Sequence, residues 1–349
     1  MSHLTYAEAG VIGLLQGITE LFPISSLGHA VLIPALVGGQ WAQDLDVSKS
    51  ESPYLAYIVG LHVATAAAMI IFFWRDWLRI IKAFFASLWH VVSPAPGTRR
   101  FVPQNIDQAL AWMIIVATIP VGLAGVALEH LFRVYFSRPI LTSVFLFCNG
   151  LILLAGERAR RRRADMEAQE IAADLQAVSE RQKAAVAAGA GGGSSGRHSS
   201  GQRALRQQHA SLAVESDQRI VRRVGWRGAI GLGASQILAL LPGISRDGTV
   251  MVAGMFRGLS RQDAARFSFL LSAPVILAAG VLKIPDLTGP LGAGIRGQVL
   301  FGSLLSGVGA YFALRFLVRY FSDPRRTLTP FAIYCLAAGA GAFIYLNVR

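Results

Sequence analysis

Charged residues and cysteines are both scarce in this sequence. Of its 349 residues 15% are charged and two are cysteine, whereas a soluble domain carries about 25% charged residues. Cys148 and Cys335 lie inside apolar segments, which excludes an exposed disulfide or a cysteine-based metal cluster. Because 53% of the residues are hydrophobic and the mean hydropathy is +0.48, the composition indicates a polytopic membrane protein.

Acidic residues are also few, 20 against 33 basic ones, which gives a net charge of +13. The basic residues cluster between apolar segments and not on a polar domain with interleaved aromatics, so we expect no nucleic-acid partner. Clusters of this kind are topology signals. They follow the first, third and fifth apolar spans and therefore predict that these three connections are cytoplasmic.

The apolar segments predict an all-α fold. Six are long enough to cross about 30 Å of hydrocarbon, which takes about 20 residues. Two more, 7–38 and 228–258, are broken midway by Pro and Gly into halves too short to cross, so we expect two re-entrant helical hairpins. The six predicted crossings lie near 53–73, 107–128, 139–156, 264–283, 297–318 and 328–347.

The two hairpins resemble each other. A shift of 220 positions places Ser25 on Ser245, matches an Ile-Ser-x-x-Gly pattern and puts Gln16 on Gln236. With six crossings in alternation the hairpins enter from opposite faces, which predicts an inverted repeat around a binding site near the midplane. We expect a first membrane half at 1–156, a flexible, charged and Gly/Ser-rich cytoplasmic insert at 157–226 and a second membrane half at 227–349.

The first hairpin carries polar residues that ordinary packing does not require. Gln16 and Glu20, four residues apart, share a helix face before the break, and Ser26 and His29 share one after it, while Ser25 or Ser26 can cap the second half-helix. Ionisable groups inside a membrane are costly, which favours a functional role. A structural role for Glu20 as the ion-pair partner of an arginine stays open.

The second hairpin carries the groups that bind anions. After the Pro242-Gly243 break come Ser245, Arg246 and Thr249, and a helix N-terminus with hydroxyls and a guanidinium suits a phosphate at membrane depth. Asp247 can cap this half-helix or pair with Arg246 and weaken its hold on phosphate. No pattern assigns a site to His62, His90 and His130.

Two motifs carry a resemblance to a known family. The segments "GLLQGITELFPISSLGH" and "ALLPGISRDGTVMVAGMFRGLSRQDAARFSFLLSAPVILAAG", with the closing "PFAIY", closely resemble the bacterial undecaprenyl-diphosphatase family, the BacA-type bacitracin-resistance phosphatases. The resemblance implies hydrolysis of undecaprenyl diphosphate to undecaprenyl phosphate and inorganic phosphate, which recycles the lipid carrier for peptidoglycan and other envelope polymers. It also implies a multi-pass protein of the bacterial plasma membrane, with its site open to the periplasm or cell exterior.

The resemblance also implies site residues and a cofactor. Catalysis is expected at Glu20, Ser26 and His29, with the nucleophile left open between Ser26, His29 and a metal-bound water. The expected cofactor is a divalent cation, Mg²⁺ or Ca²⁺, with Glu20 and more weakly Gln16 as ligands. The expected diphosphate-binding residues are Ser25, Gly243, Ser245, Arg246 and Thr249.

Two positions depart from the family pattern. Gln16 stands where Glu is common, and Asp247 stands where Ser is common. Rival functions also remain: a transporter of polyprenyl phosphate or a small anion, because broken helices in inverted repeats are a transporter plan, and a non-catalytic lipid-binding scaffold. The expected partners are the polyprenyl diphosphate and membrane lipids, and a homodimer is left open.

Overall fold

A computed structural model describes residues 4–45, 53–93, 102–187, 203–282, 289 and 294–348. In this part of the chain the regular structure is helical throughout, as predicted. The α-helices are α1 Tyr6–Leu21, α2 Ser26–Val37, α3 Gly39–Asp44, α4 Pro53–Phe72, α5 Trp74–Val92, α6 Ile106–Phe136, α7 Pro139–Ala187, α8 Arg203–Ser235, α9 Arg246–Phe256, α10 Arg261–Leu282, α11 Arg296–Ser322 and α12 Thr329–Val348, and a 3₁₀ turn covers Gln236–Leu240.

The prediction of a polytopic membrane protein is confirmed. Within the described ranges, five helices are long and apolar enough to cross a membrane: α6, α7, α10, α11 and α12. A sixth candidate is the pair of α4 and α5, which bends by 86° at the junction between them. The five long helices lie on five of the six segments that the hydropathy predicted. The remaining segment, 53–73, is α4, and the bent pair adds α5, which was not predicted as part of a crossing.

The first hairpin is built by caps and a proline. The hydroxyl of Thr5 accepts a hydrogen bond from the Glu8 N–H, and the Glu8 carboxylate accepts one from the Thr5 N–H at 2.8 Å, so a capping box starts α1. The helix ends at Leu21, just before Pro23. Ser25 then caps α2 through its Oγ, which accepts from the Gly28 N–H at 3.2 Å. The two arms, of 16 and 12 residues, are each too short to cross the hydrocarbon.

The second hairpin repeats this plan. Gly225, at φ 60° and ψ 179°, interrupts α8, so that 226–235 forms a separate arm. The chain breaks after the 3₁₀ turn, where Gly243 has φ 113°, a conformation that favours glycine. Ser245 caps α9 as Ser25 caps α2, accepting from the Gly248 N–H at 3.1 Å.

Each hairpin packs against a helix from the other half of the chain. The first arm of each hairpin packs against a crossing of the other half, α1 against α11 and the arm of α8 against α6. Small residues allow close approach: a Cβ on Gly17 would lie 2.1 Å from the Ser306 carbonyl oxygen, and one on Gly233 would lie 2.0 Å from that of Ala117. This reciprocal packing is the arrangement that the predicted inverted repeat requires.

We expect Gly17→Ala to destabilise the fold. Its methyl group would overlap the backbone of α11, and overpacking of this kind costs about 1–3 kcal/mol. Thermal unfolding in detergent should show a lower midpoint. Gly122→Ala in α6 is the control, because nothing lies within 4 Å of a Cβ there. Equal midpoints for the two variants would contradict the close α1–α11 contact.

Both ends of the predicted insert are helical, and the second end packs against other helices. Helix α7 continues to Ala187, and Asp217 of α8 is fully buried, where the guanidinium of Arg266 in α10 binds it at 2.9 Å and that of Arg79 in α5 also binds it. Ser216 likewise donates to Asp263 at 2.5 Å. Residues 213–226 therefore pack on the bundle, while the Gly/Ser-rich centre of the insert, 188–202, lies outside the described residues.

Candidate active site

Glu20 is the centre of a polar cluster at the first break. Its Oε2 accepts a hydrogen bond from the Ser26 hydroxyl across the break and another from Gln16 Nε2 at 2.7 Å. Its Oε1 accepts from Nη2 of Arg246, which comes from the second hairpin. The carboxylate is only 4% exposed, so four predicted site residues, including Gln16, meet in a nearly dry environment.

His62 of α4 completes the cluster. Its Nε2 lies 3.5 Å from Glu20 Oε2 and 3.2 Å from Gln16 Nε2, while its Nδ1 donates to the Ile58 carbonyl oxygen at 2.8 Å. Since Nδ1 is fixed as a donor, Nε2 is the nitrogen turned to the site. The imidazole is 27% exposed, so His62 connects the buried carboxylate with the surface.

His29, in contrast, faces another partner. Its Nδ1 donates to the Ser25 carbonyl oxygen at 2.7 Å, and its Nε2 lies 2.7 Å from the Tyr334 hydroxyl of α12. The two rings stack with centroids 5.8 Å apart. With Nδ1 as donor, Nε2 of the neutral ring accepts from Tyr334. His29 is therefore at the break, as predicted, but its ring nitrogens are engaged away from Glu20.

The serines at the breaks and Thr249 have architectural partners. Ser25 Oγ accepts from the Gly243 N–H at 3.1 Å as well as from Gly28, so this hydroxyl joins the two breaks. Its backbone has φ 68°, unusual for a residue with a side chain, which shows that the surrounding structure holds it. Ser245 Oγ caps α9, and Thr249 Oγ1 donates to the Arg246 carbonyl oxygen at 2.8 Å.

Asp247 follows neither of its two predicted alternatives. Ser245 is the cap of α9. Asp247 Oδ1 accepts from the hydroxyls of Ser268 and Ser272 in α10, at 2.6 and 2.5 Å. The ion pair of Arg246 is with Glu20, so the Asp247 carboxyl is bound to α10.

Two buried polar atoms of the cluster have no partner among the described residues. They are Nε of Arg246, a donor, and Oε1 of Gln16, an acceptor. The Arg246 side chain is 19% exposed, more than Glu20. A guanidinium with a donor left over is suited to a phosphate oxygen, and an unpaired amide oxygen beside a carboxylate is suited to a hard cation.

Sequence similarity to known proteins agrees with a phosphate-binding site at these residues. The sequence matches the family described as "Bacitracin resistance protein BacA" over residues 9–190 and 203–341. The chain belongs to the BacA family. This family match covers both hairpins and all the helices of the cluster, and it leaves out only the centre of the insert and the two ends of the chain.

Named relatives in the BacA family cover nearly the whole chain. A protein of Mycolicibacterium paratuberculosis named undecaprenyl-diphosphatase is 55% identical over 348 residues, which is 100% of this chain and 99% of the relative. Undecaprenyl-diphosphatase 2 of Frankia alni is 50% identical, with 97% of each chain covered. Undecaprenyl-diphosphatase 2 of Chromobacterium violaceum is 34% identical, with 97% and 98% covered.

Two polar residues that contact the site were not predicted from the sequence. His62 stands in an apolar span without a motif, and Asn149 of α7 is a fully buried amide that contacts both breaks. The signal available was their polarity alone, since polar side chains are costly inside a membrane segment. That signal marks a residue as constrained, but it does not identify its partner.

We expect His62→Gln to lower kcat/KM by up to about tenfold, because the imidazole hydrogen-bonds the Gln16 amide and a neutral hydrogen bond contributes about 0.5–1.5 kcal/mol. The substitution removes the imidazole that faces Glu20 and Gln16. Hydrolysis of undecaprenyl diphosphate by purified protein measures the effect. His90→Gln in α5, at an imidazole outside the cluster, is the control. If both variants retain equal activity, His62 is a packing residue only.

Proposed function

We propose that this protein hydrolyses undecaprenyl diphosphate to undecaprenyl phosphate and inorganic phosphate, thereby recycling the envelope lipid carrier and conferring bacitracin resistance. The observation that carries the proposal is the convergence on Glu20 of the Ser26 hydroxyl and the Arg246 guanidinium from opposite hairpins. The relatives are named as phosphatases, and the transporter alternative is therefore not favoured.

Arg246 is the principal diphosphate ligand in this proposal. Its unpartnered Nε can donate to a phosphate oxygen. The first N–H groups of a helix have no intrahelical acceptor, and Ser245 Oγ takes that of Gly248, so those of Arg246 and Asp247 can bind the anion. Gly243, Ser25, Ser245 and Thr249 contribute by shaping the breaks, since their groups are already engaged there.

Hydrolysis needs a base beside the attacking oxygen. The phosphorus–oxygen bond of the anhydride breaks, the terminal phosphoryl group passes to water, and the bridging oxygen leaves with the lipid phosphate. Glu20 accepts the Ser26 hydrogen bond. If Ser26 attacks phosphorus, Glu20 is placed to take the Ser26 proton, and water then hydrolyses the phosphoserine. If Ser26 orients a water, the proton that Glu20 takes is that of the water, which attacks phosphorus directly. For His29 to attack or to protonate the leaving phosphate, it must first release the Tyr334 hydroxyl.

The residues also fit a divalent cation bound mainly through the diphosphate. Among the described residues no three His, Cys, Asp or Glu side chains form a metal cluster, and Mg²⁺ in phosphate sites uses only one or two protein ligands. Glu20 and the unpaired Oε1 of Gln16 would hold it. When bound, Mg²⁺ or Ca²⁺ would neutralise charge on the phosphates.

The membrane orientation is part of the proposal. Among the described residues, the arginines and lysines that follow the first, third and fifth predicted spans lie in α5, in α7 beyond residue 157, and at the end of α11 and just after it. They favour a cytoplasmic location for these parts of the chain and for the insert. The first hairpin then opens to the periplasm or cell exterior of the bacterial plasma membrane. The chain is surrounded by membrane lipids and takes a polyprenyl diphosphate from them, and its assembly as a homodimer stays a prediction.

Phosphate release from undecaprenyl diphosphate by detergent-purified protein tests the proposal. The assay is run with Mg²⁺, with Ca²⁺ and with a chelator, and a parallel measurement follows transbilayer movement of undecaprenyl phosphate in vesicles. We expect release that depends on the cation. Folded protein that moves the lipid across the bilayer but releases no phosphate under any of these conditions would overturn the assignment in favour of a transporter.

A further inference from the structure

Asn149 links the two helix breaks on which the site is built. The residue lies in α7 and is fully buried. Its Nδ2 donates to the Pro23 carbonyl oxygen at 2.9 Å and to Cys335 Sγ at 3.3 Å, and its Oδ1 accepts from the Ser245 N–H at 3.0 Å. One amide thus binds the backbone of both hairpins.

The amide group is the chemical group that these contacts require. The Pro23 carbonyl offers only an acceptor, and the Ser245 N–H offers only a donor, so the side chain between them must donate on one side and accept on the other. The reversed amide would place oxygen against oxygen and N–H against N–H. The hydrogen-bond network therefore fixes the orientation of Asn149.

These contacts lie next to the groups that perform the reaction. Pro23 precedes Ser26 by three residues, and Ser245 directly precedes Arg246. The helix α7 also supports the second break directly, because a Cβ on Gly243 would lie 2.6 Å from the Leu146 nitrogen and 2.6 Å from the Thr142 carbonyl oxygen. Asn149 thus lies on the helix that packs against the second break, and it hydrogen-bonds both breaks.

We propose that Asn149 is a positioning residue of the diphosphatase reaction, one that sets the distance between the Ser26–Glu20 pair of the first hairpin and Arg246 of the second through a donor-and-acceptor link to both breaks. The proposal rests on the proposed function. Reacting groups misplaced by about 1 Å can cost about 10²-fold in rate. Loss of this link acts on kcat, because each hairpin keeps its own substrate contacts.

The test compares three variants with the wild type at one pH at a time. Asn149→Ala removes both hydrogen bonds. Asn149→Asp keeps the shape, and when its carboxyl is protonated it restores both a donor and an acceptor. Thr142→Val is the matched control, because Thr142 is buried in the same helix next to Gly243 and its Oγ1 has no partner among the described residues. Activity is expressed per mole of monodisperse protein, and thermal unfolding is measured for each variant.

We expect Asn149→Ala to lower kcat about 10²-fold while KM changes less than about threefold, and Thr142→Val to leave both near the wild type. At about pH 5, where an ordinary aspartic acid begins to protonate, Asn149→Asp should lie closer to the wild type at that pH than Asn149→Ala does. The proposal is overturned if Asn149→Ala matches Thr142→Val in kcat. It is also overturned if, at about pH 5, the kcat of Asn149→Asp is no higher than that of Asn149→Ala.

The design separates this proposal from the proposed function. An inactive wild type would remove the diphosphatase assignment itself. An active wild type with an active Asn149→Ala variant would remove only the positioning role. If Asn149→Ala does not yield monodisperse protein, the kcat of Asn149→Asp is compared with that of Thr142→Val at about pH 5 and about pH 8. The ionised carboxylate has no donor for the Pro23 carbonyl oxygen, so the proposal expects the kcat of Asn149→Asp relative to Thr142→Val to be lower at about pH 8 than at about pH 5. An equal ratio at the two pH values overturns it.

Discussion

We expect Glu20→Gln to lower kcat about 10³-fold with folding retained. The substitution keeps the shape of the side chain but removes the base that accepts the Ser26 proton, and general-base catalysis contributes about 10²–10⁴-fold. It also removes the negative charge that holds the Arg246 guanidinium. Single-turnover and steady-state hydrolysis of undecaprenyl diphosphate give the measurement.

Glu8→Gln supplies a control on the same helix. Glu8 is also a buried carboxylate, 3% exposed, but it belongs to the capping box of α1, where Gln can replace Glu. We expect its kcat within about twofold of the wild type. If Glu20→Gln retained a tenth of wild-type activity or more, Glu20 would not be the base, and its contacts would be structural.

The sequence predicted the meeting of Glu20, Ser26 and Arg246 correctly. The broken apolar segments and the positive-inside rule together predict two hairpins that enter from opposite faces, and Pro23 and Gly243 mark the breaks at which polar residues gather. The structure places the Ser26 hydroxyl and the Arg246 guanidinium on the Glu20 carboxylate. Local signals sufficed here because each of these residues lies within a few positions of a break.

Partners from distant spans could not be predicted in this way. Asn149 and His62 reach the site because α7 and α4 pack beside the hairpins, and no spacing within either span encodes that packing. The same limit applies to His29. Its helical spacing from Ser26 was correct, but the position of Tyr334, 305 residues further along the chain, turns its ring away from Glu20.

The departure at position 16 also has a structural explanation. Gln16 Nε2 donates to Glu20 Oε2 and lies 3.2 Å from His62 Nε2. A carboxylate at this position would lie against another carboxylate, whereas the amide adds a hydrogen bond and keeps one negative charge among these three side chains. Among Gln16, Glu20 and His62, Glu20 is therefore the one carboxylate, and its role as the principal carboxylate of the site stays a prediction.

Arg246→Ala should lower kcat/KM about 10³-fold, because it removes a charged donor to the diphosphate and leaves the buried Glu20 carboxylate without its cation. Arg246→Lys keeps the charge but loses the fork of donors, so an intermediate loss of about tenfold to 10²-fold is expected. Since the loss of an ion-pair partner alone could explain the alanine variant, the two roles of Arg246 must be separated.

The Glu20→Gln background separates them. There the carboxylate is already absent, so Arg246→Ala no longer leaves a buried charge unpaired, and the slow variant allows the dissociation constant of undecaprenyl diphosphate to be measured directly. If Arg246 binds the diphosphate, its removal in this background weakens binding about 10–100-fold, as expected for a lost hydrogen bond to a charged group. If Arg246 serves only to neutralise Glu20, the Glu20→Gln variant and the Glu20→Gln/Arg246→Ala double variant bind undecaprenyl diphosphate equally. The unpartnered Nε of Arg246 then has no ligand to bind.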